Sequence, residues 1–197
     1  TGVKESGAPD LALFQADSPR PAAAVFTRNE LPAACVLLGR ETMARRPALR
    51  TLCVNSGNAN AMTGPQGRAD AERIADLVER HAGGPVLALS TGIIGVPLPM
   101  ELLEPGIEQA VRSLSTPCPQ LAEAILTTDT CRKTCAVEVE LPAAGGQPPQ
   151  VVRVGGMAKG SGMIHPNMAT MLAFVATDAP VETAALDGLL RRATDAS

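Results

Sequence analysis

The 197-residue chain contains no tyrosine, no tryptophan and three phenylalanines. With so few rings it has little from which to build the stacking platforms that hold unpaired nucleic-acid bases, or the aromatic clamps that hold sugars. A charge excess is also missing. The 17 basic and 20 acidic residues are mixed along the chain and leave a net charge of −3, which offers a phosphate backbone no broad positive field. No apolar run approaches the roughly 20 residues needed to cross a bilayer. The first thirty residues lack the basic start and apolar stretch of a secretion signal. These absences argue against nucleic-acid and membrane partners and make a cytoplasmic protein the expectation.

Phosphate-binding signatures are absent as well. GxGxxG and GxxxxGK[ST] do not occur, and Lys159-Gly160-Ser161 lacks the upstream glycine that a phosphate loop requires. Gly160-Ser161-Gly162 lacks the spacing of a GxSxG serine elbow. The five cysteines are odd in number. Cys35 and Cys53 lie in apolar runs where a thiol behaves as a small buried hydrophobe. Cys131 and Cys135 have no second close pair, and His81 and His165 are the only histidines, so metal ligation is weakly signalled and a reducing compartment is the better expectation. Cys118 adds nothing to either pattern.

What is present is a well-populated core. Hydrophobic residues make up 45% of the chain, enough for burial of roughly two thirds of the unfolded surface. Runs rich in branched residues predict strands over 23–27, 34–38, 51–55, 86–89, 134–140 and 151–154. Ile74, Leu77 and Val78 recur at helical spacing within 70–81, ahead of Gly83-Gly84. Met100, Leu103, Ile107 and Val111 do so within 99–114, a segment opened by Pro99. A short helix is expected over 119–126, and another from about residue 180. Residues 141–150, with three prolines and two glycines, read as a flexible hairpin loop. Strands and helices alternate in the middle and strands cluster toward the ends, which predicts a mixed, layered α/β fold. The last helix has no cap or closing strand, and a truncated polypeptide is the simplest account.

Four segments combine hydroxyls, small residues and glycines: 55–61 (NSGNANA), 90–95 (STGIIG), 127–130 (TTDT) and 159–170 (KGSGMIHPNMAT). Each adjoins a predicted strand or helix end, where backbone N–H groups stand unsatisfied and loops rest on a rigid scaffold. Such places can build an acyl-transfer site. Read locally, each is equally a tight turn: Thr91 a turn or cap residue, Lys159 a solvent-exposed lysine, Thr170 a strand threonine leading into 171–174. Asn55, Asn58 and Asn60 read as loop builders that satisfy nearby backbone groups.

Taken together and in order, NSGNANA, STGIIG, ILTTDT, GGMAKGSGMI and HPNMATMLAF, with FTRN at Phe26 to Asn29, resemble the bifunctional glutamate N-acetyltransferase and ornithine acetyltransferase family of arginine biosynthesis. The resemblance covers essentially the whole chain. It implies a fold of the ornithine acetyltransferase and amino-terminal-nucleophile aminopeptidase type, and a precursor that cuts itself between Ala169 and Thr170. Residues 1–169 would then be the amino-terminal, or alpha, segment, and 170–197 the start of the carboxy-terminal, or beta, segment. The new Thr170 would carry both a hydroxyl nucleophile and an α-amine, whose ordinary pKa of about 8 suits it to accept a proton near neutrality. It would take acetyl from N-acetylornithine and pass it to glutamate in a ping-pong reaction.

The same resemblance assigns the oxyanion donors to Thr91, through its side chain, and Gly92, through its backbone N–H. It gives substrate binding to Thr127, Lys159 and Thr170; the lysine would pair with the α-carboxylate common to both substrates. Asp129 receives no catalytic step. No metal or redox cofactor is implied, with acetyl-CoA a possible co-substrate. The partner would be the beta segment of the same precursor in an α2β2 assembly. Two departures from the family pattern stand out: His165 where a small residue is expected, and Cys131-Arg132 where an aromatic-proline pair is common. An amino-terminal-nucleophile aminopeptidase or amidase, and a non-enzymatic binding module, are the competing readings.

Overall fold

The computed structural model describes residues 1–116, 118–143, 148–161 and 171–197. Within them the element order is β1 (Leu11–Pro21), α1 (Ala34–Arg45), β2 (Ala48–Asn58), α2 (Gly64–Ala82), β3 (Val86–Ile93), α3 (Met100–Arg112), α4 (Leu121–Ala124), β4 (Lys133–Leu141), β5 (Gln150–Lys159), β6 (Leu172–Thr177) and α5 (Thr183–Asp195). The strands form two three-stranded sheets, β1-β2-β3 and β4-β5-β6. In the first, β1 runs antiparallel to β2 and β3 parallel to it. A parallel pair needs a long crossover, and α2 supplies it. The second sheet is antiparallel throughout. The layered α/β expectation is correct.

Strand alternation divides the core. On one face of the first sheet Leu13, Cys53, Val86 and Ala88 pack against Ile74, Leu77 and Val78 of α2 and Leu103 and Ile107 of α3. On the other, Ala12 and Val54 meet Ala122, Ala124 and Ile125 in and beside α4, together with Met157 of β5. Phe14 and Phe174 stack at 5.3 Å between ring centres and so join β1 to β6. This second cluster fixes one sheet relative to the other, and the candidate site lies at its margin.

Several sequence expectations need correction. Residues 34–38 are helical, the first turn and more of α1, and not a strand. The stripe that α1 buries consists of Cys35 and Gly39, residues too small to register as a hydrophobic period. Gly39 is small for a reason: a Cβ there would sit 3.0 Å from the Phe26 ring and 3.2 Å from Leu87. Residues 23–27 belong to no strand, whereas β1 forms where Gln15, Asp17 and two prolines interrupt any strand pattern in the sequence. It tolerates those prolines because it is an edge strand with a register shift between Gln15 and Arg20. Helix α2 begins six residues before the predicted start, since Pro65 sits in its first turn, where a missing N–H costs nothing. The predicted hairpin is real: β4 and β5 pair from Lys133↔Ala158 to Leu141↔Gln150.

Candidate active site

Two of the glycine-rich segments are not separate loops. Asn55, Ser56, Gly57 and Asn58 end β2 and lie in parallel register with Ser90, Thr91, Gly92 and Ile93 at the end of β3. Thr91 is therefore a buried strand residue, neither a turn nor a cap. Gly57 and Gly92 sit opposite one another with positive φ of 123° and 136°. A Cβ on Gly92 would lie 2.2 Å from the Gly57 carbonyl oxygen, so no side chain fits. The glycine that a family resemblance links to an oxyanion is thus required first by the approach of its neighbouring strand.

Buried asparagines hold these strand ends. Asn55 Nδ2 donates to the Asn58 carbonyl at 3.1 Å, and Ser90 Oγ donates to Asn55 Oδ1 at 2.6 Å. Asn58 Nδ2 donates to Pro97 O at 2.7 Å, and Asn60 Nδ2 to Gly67 O at 2.7 Å. The Ser56 hydroxyl donates to Ala124 O, which ties β2 to α4. Each bond satisfies a backbone carbonyl or a buried amide that would otherwise be left without a partner at a cost of about 1–3 kcal/mol.

The centre of the site is Lys159, the last residue of β5. Its residue is 3% exposed, which overturns the solvent-exposed reading. The ammonium donates to Thr91 Oγ1 at 2.7 Å and to Thr127 Oγ1 at 2.9 Å. Three residues named from the sequence, on three separate segments, therefore converge on one nitrogen. Burial lowers the Lys159 pKa below the ordinary lysine value, Lys4 and Lys133 push in the same direction, and the negative charge of Asp129 opposes them.

Asp129, which receives no catalytic step from the resemblance, organises this cluster. Its Oδ1 accepts the Gly160 N–H at 2.7 Å, directly after Lys159, and also the Lys133 ammonium. Burial alone would raise its pKa; hydrogen bonds from Lys133 and from the backbone of Gly160 and Thr127 outweigh that and hold it below the usual carboxylate value. The only sequence signal was its place in TTDT, two residues after Thr127. Arg132, one of the two departures, pairs with Glu123 at 3.5 Å and donates to Pro119 O at 3.4 Å, and so fastens this loop to the α4 region. Cys131 is exposed.

Ala169, Thr170 and His165 lie outside the described residues. The strands flanking that stretch are described, and Lys159 pairs with Leu172 across β5 and β6. A cavity of about 380 Å³ elsewhere, lined by Phe26, Arg40, Met43, Asp187 and Arg191 among others, contains none of the cluster. Both core cysteines are inert by burial: Cys53 is pushed up to about 12, and the Cys35 thiol is also raised.

A layered α/β chain in which a strand-end lysine meets one threonine from a neighbouring sheet and another from the loop after α4 defines a fold already seen in solved proteins. The arginine biosynthesis bifunctional protein argJ from Bacillus halodurans matches with a TM-score of 0.74 and 38% identity, over 85% of this chain and 86% of that one. The ornithine acetyltransferase complexed with ornithine from Mycobacterium tuberculosis matches with a TM-score of 0.70 and 35% identity, over 89% and 88%. The chain belongs to the ArgJ family, whose model matches residues 1–197. Among curated relatives, the arginine biosynthesis bifunctional proteins ArgJ of Synechococcus and Geobacter sulfurreducens are 46% and 48% identical over 100% and 99% of this chain. The chain spans about half the length of these relatives, 47% and 49%.

Proposed function

We propose that the full-length protein transfers acetyl from N-acetylornithine to glutamate through an acyl-threonine at Thr170. The observation that carries this reading is the convergence of Thr91, Thr127 and Lys159 on one another from β3, the loop after α4 and β5. Thr170 precedes by two residues in sequence the Leu172 that pairs with Lys159.

Maturation comes first. The Thr170 hydroxyl attacks the Ala169 carbonyl, the acyl group moves from nitrogen to oxygen, and water hydrolyses the ester, freeing the Ala169 carboxylate and the Thr170 α-amine. That amine then accepts the hydroxyl proton as Thr170 attacks the acetyl carbonyl of N-acetylornithine. The amine passes that proton to the departing nitrogen and ornithine leaves; the glutamate amine then takes the acetyl group from the threonine ester, and its proton returns through the α-amine to the threonine oxygen. Each tetrahedral intermediate places negative charge on an oxygen, which Thr91 Oγ1 and the Gly92 N–H receive.

A split precursor fits the lengths of the matching proteins, and the resemblance puts the cut between residues 169 and 170. The solved chains match over most of their length, whereas the curated sequences match over half of theirs. The carboxy-terminal segment remains with the amino-terminal one, and two such pairs form an α2β2 assembly. Exposed Val137, Val139 and Val175 on the second sheet, with Leu189 on α5, give further chain an apolar surface to cover.

The test is incubation of full-length protein with glutamate and N-acetylornithine carrying a labelled acetyl group. Labelled N-acetylglutamate and a trapped acetyl-Thr170 are the expected products. Release of free acetate, independent of glutamate, would instead show an amidase using water as acceptor. Replacing the donor by acetyl-CoA decides whether that compound is a second substrate.

A further inference from the structure

The hydrogen-bond directions around Lys159 carry a statement about what its charge does. An ammonium has three N–H donors and no acceptor, so in both bonds the threonine oxygen is the acceptor. A hydroxyl whose oxygen already receives a proton keeps its own hydrogen for another acceptor, and the incoming positive charge makes it a stronger donor. Lys159 therefore turns two hydroxyls, on separate segments, into oriented donors. It does so from a buried position, 3% exposed, with Thr91 itself 8% exposed, so both groups are held in one geometry before any ligand arrives. The Asp129 carboxylate fixes the backbone on either side of the pair: it binds the Gly160 N–H directly after Lys159 and lies two residues beyond Thr127.

We infer that Lys159 is a positioning residue that acts through Thr91 and Thr127, preparing the Thr91 O–H for the developing oxyanion, and that its main contribution is not pairing with a substrate carboxylate. The inference deepens the acyl-transfer reading and rests on it. The two roles differ in what they require of the substrate. Carboxylate pairing serves binding and needs a carboxylate. Donor orientation serves the transition state, works on any acyl donor, and serves self-cleavage too, where no amino-acid substrate is present.

The experiment uses full-length protein carrying Lys159→Met, with N-acetylornithine and its α-carboxamide as donors. Wild type must first transfer acetyl to glutamate; if it does not, the functional reading fails and this inference falls with it. Given an active wild type, Lys159→Met is expected to lower kcat about 100-fold, the scale of losing one oxyanion donor, with KM within about threefold. The same factor is expected on the carboxamide. In a Thr91→Val background the further loss from Lys159→Met shrinks to severalfold, because the group it orients is already gone. If Lys159→Met precursor accumulates folded but unprocessed, its slowed cleavage in the absence of substrate supports the same role. Should that variant not fold, Lys159→Gln replaces it, and the comparison of the two donors stands. The inference is overturned if substitution raises KM for N-acetylornithine alone, leaving kcat, the carboxamide reaction and self-cleavage at wild-type rates.

Discussion

The Lys159 ammonium lies 2.7 Å from the Thr91 hydroxyl oxygen across 68 residues of sequence, and that single bond joins the two sheets at the candidate site. The lysine reaches it at the expense of its own hydration, which burial registers as a lowered pKa.

This has a pH consequence with a definite sign. In the fold Lys159 releases its proton at a lower pH than in the unfolded chain, where the ordinary value near 10.4 applies. Between those two values the unfolded state binds more protons, so the contribution of Lys159 makes stability rise with pH. Activity runs the other way, because the neutral amine no longer has to donate to Thr91. An alkaline limb in kcat with a midpoint below that of free lysine is expected, and Lys159→Met should abolish it.

Replacing Thr170 by Ala removes the hydroxyl needed for the proposed cut. Intact-mass measurement of the full-length variant should find one chain, where wild type yields two and terminal sequencing reads Thr170 first. Normal cleavage of Thr170→Ala would sink the assignment of the nucleophile.

Gly92→Ala should be costly before any chemistry is considered. Its Cβ would overlap the Gly57 carbonyl in a backbone conformation, φ 136°, that side chains rarely adopt. A loss of about 3 kcal/mol or more is expected in denaturant unfolding. A variant of wild-type stability would show that β2 and β3 can separate at their ends.

Asp129→Asn tests the anchor behind the lysine. The carboxylate is held below its ordinary pKa, so its stabilisation is present above the unfolded value near 3.9 and fades as pH falls through the folded one. At neutral pH the substitution should cost about 2 kcal/mol, the scale of hydrogen bonds to a charged group. The gap between variant and wild type should close in acid. Thermal unfolding at pH 7 and pH 3 measures both.

Helices α2 and α3 were legible because Ile74, Leu77, Val78, Leu103 and Ile107 are large and recur at helical spacing. Helix α1 was not, since a stripe of Cys35 and Gly39 carries no such signal and the run ACVLL fits either helix or strand. Strand β1 hid behind polar residues and prolines that only an edge position permits. At the site, the ordered motifs singled out Thr91, Gly92, Thr127 and Lys159, and the fold brings Thr91 and Thr127 within hydrogen-bond reach of Lys159. They could not say that NSGN and STGI are paired strand ends, or that Asp129 reaches the Gly160 N–H.

By itself the sequence determined the family and the layered α/β class, because five motifs in fixed order and two strong helical periods are properties read along the chain. Only the tertiary structure decided that Lys159 is buried and which oxygens it meets. That outcome depends on two sheets packing through Phe14, Phe174, Met157 and Ile125, residues whose partners are far away in sequence and carry no local mark of one another.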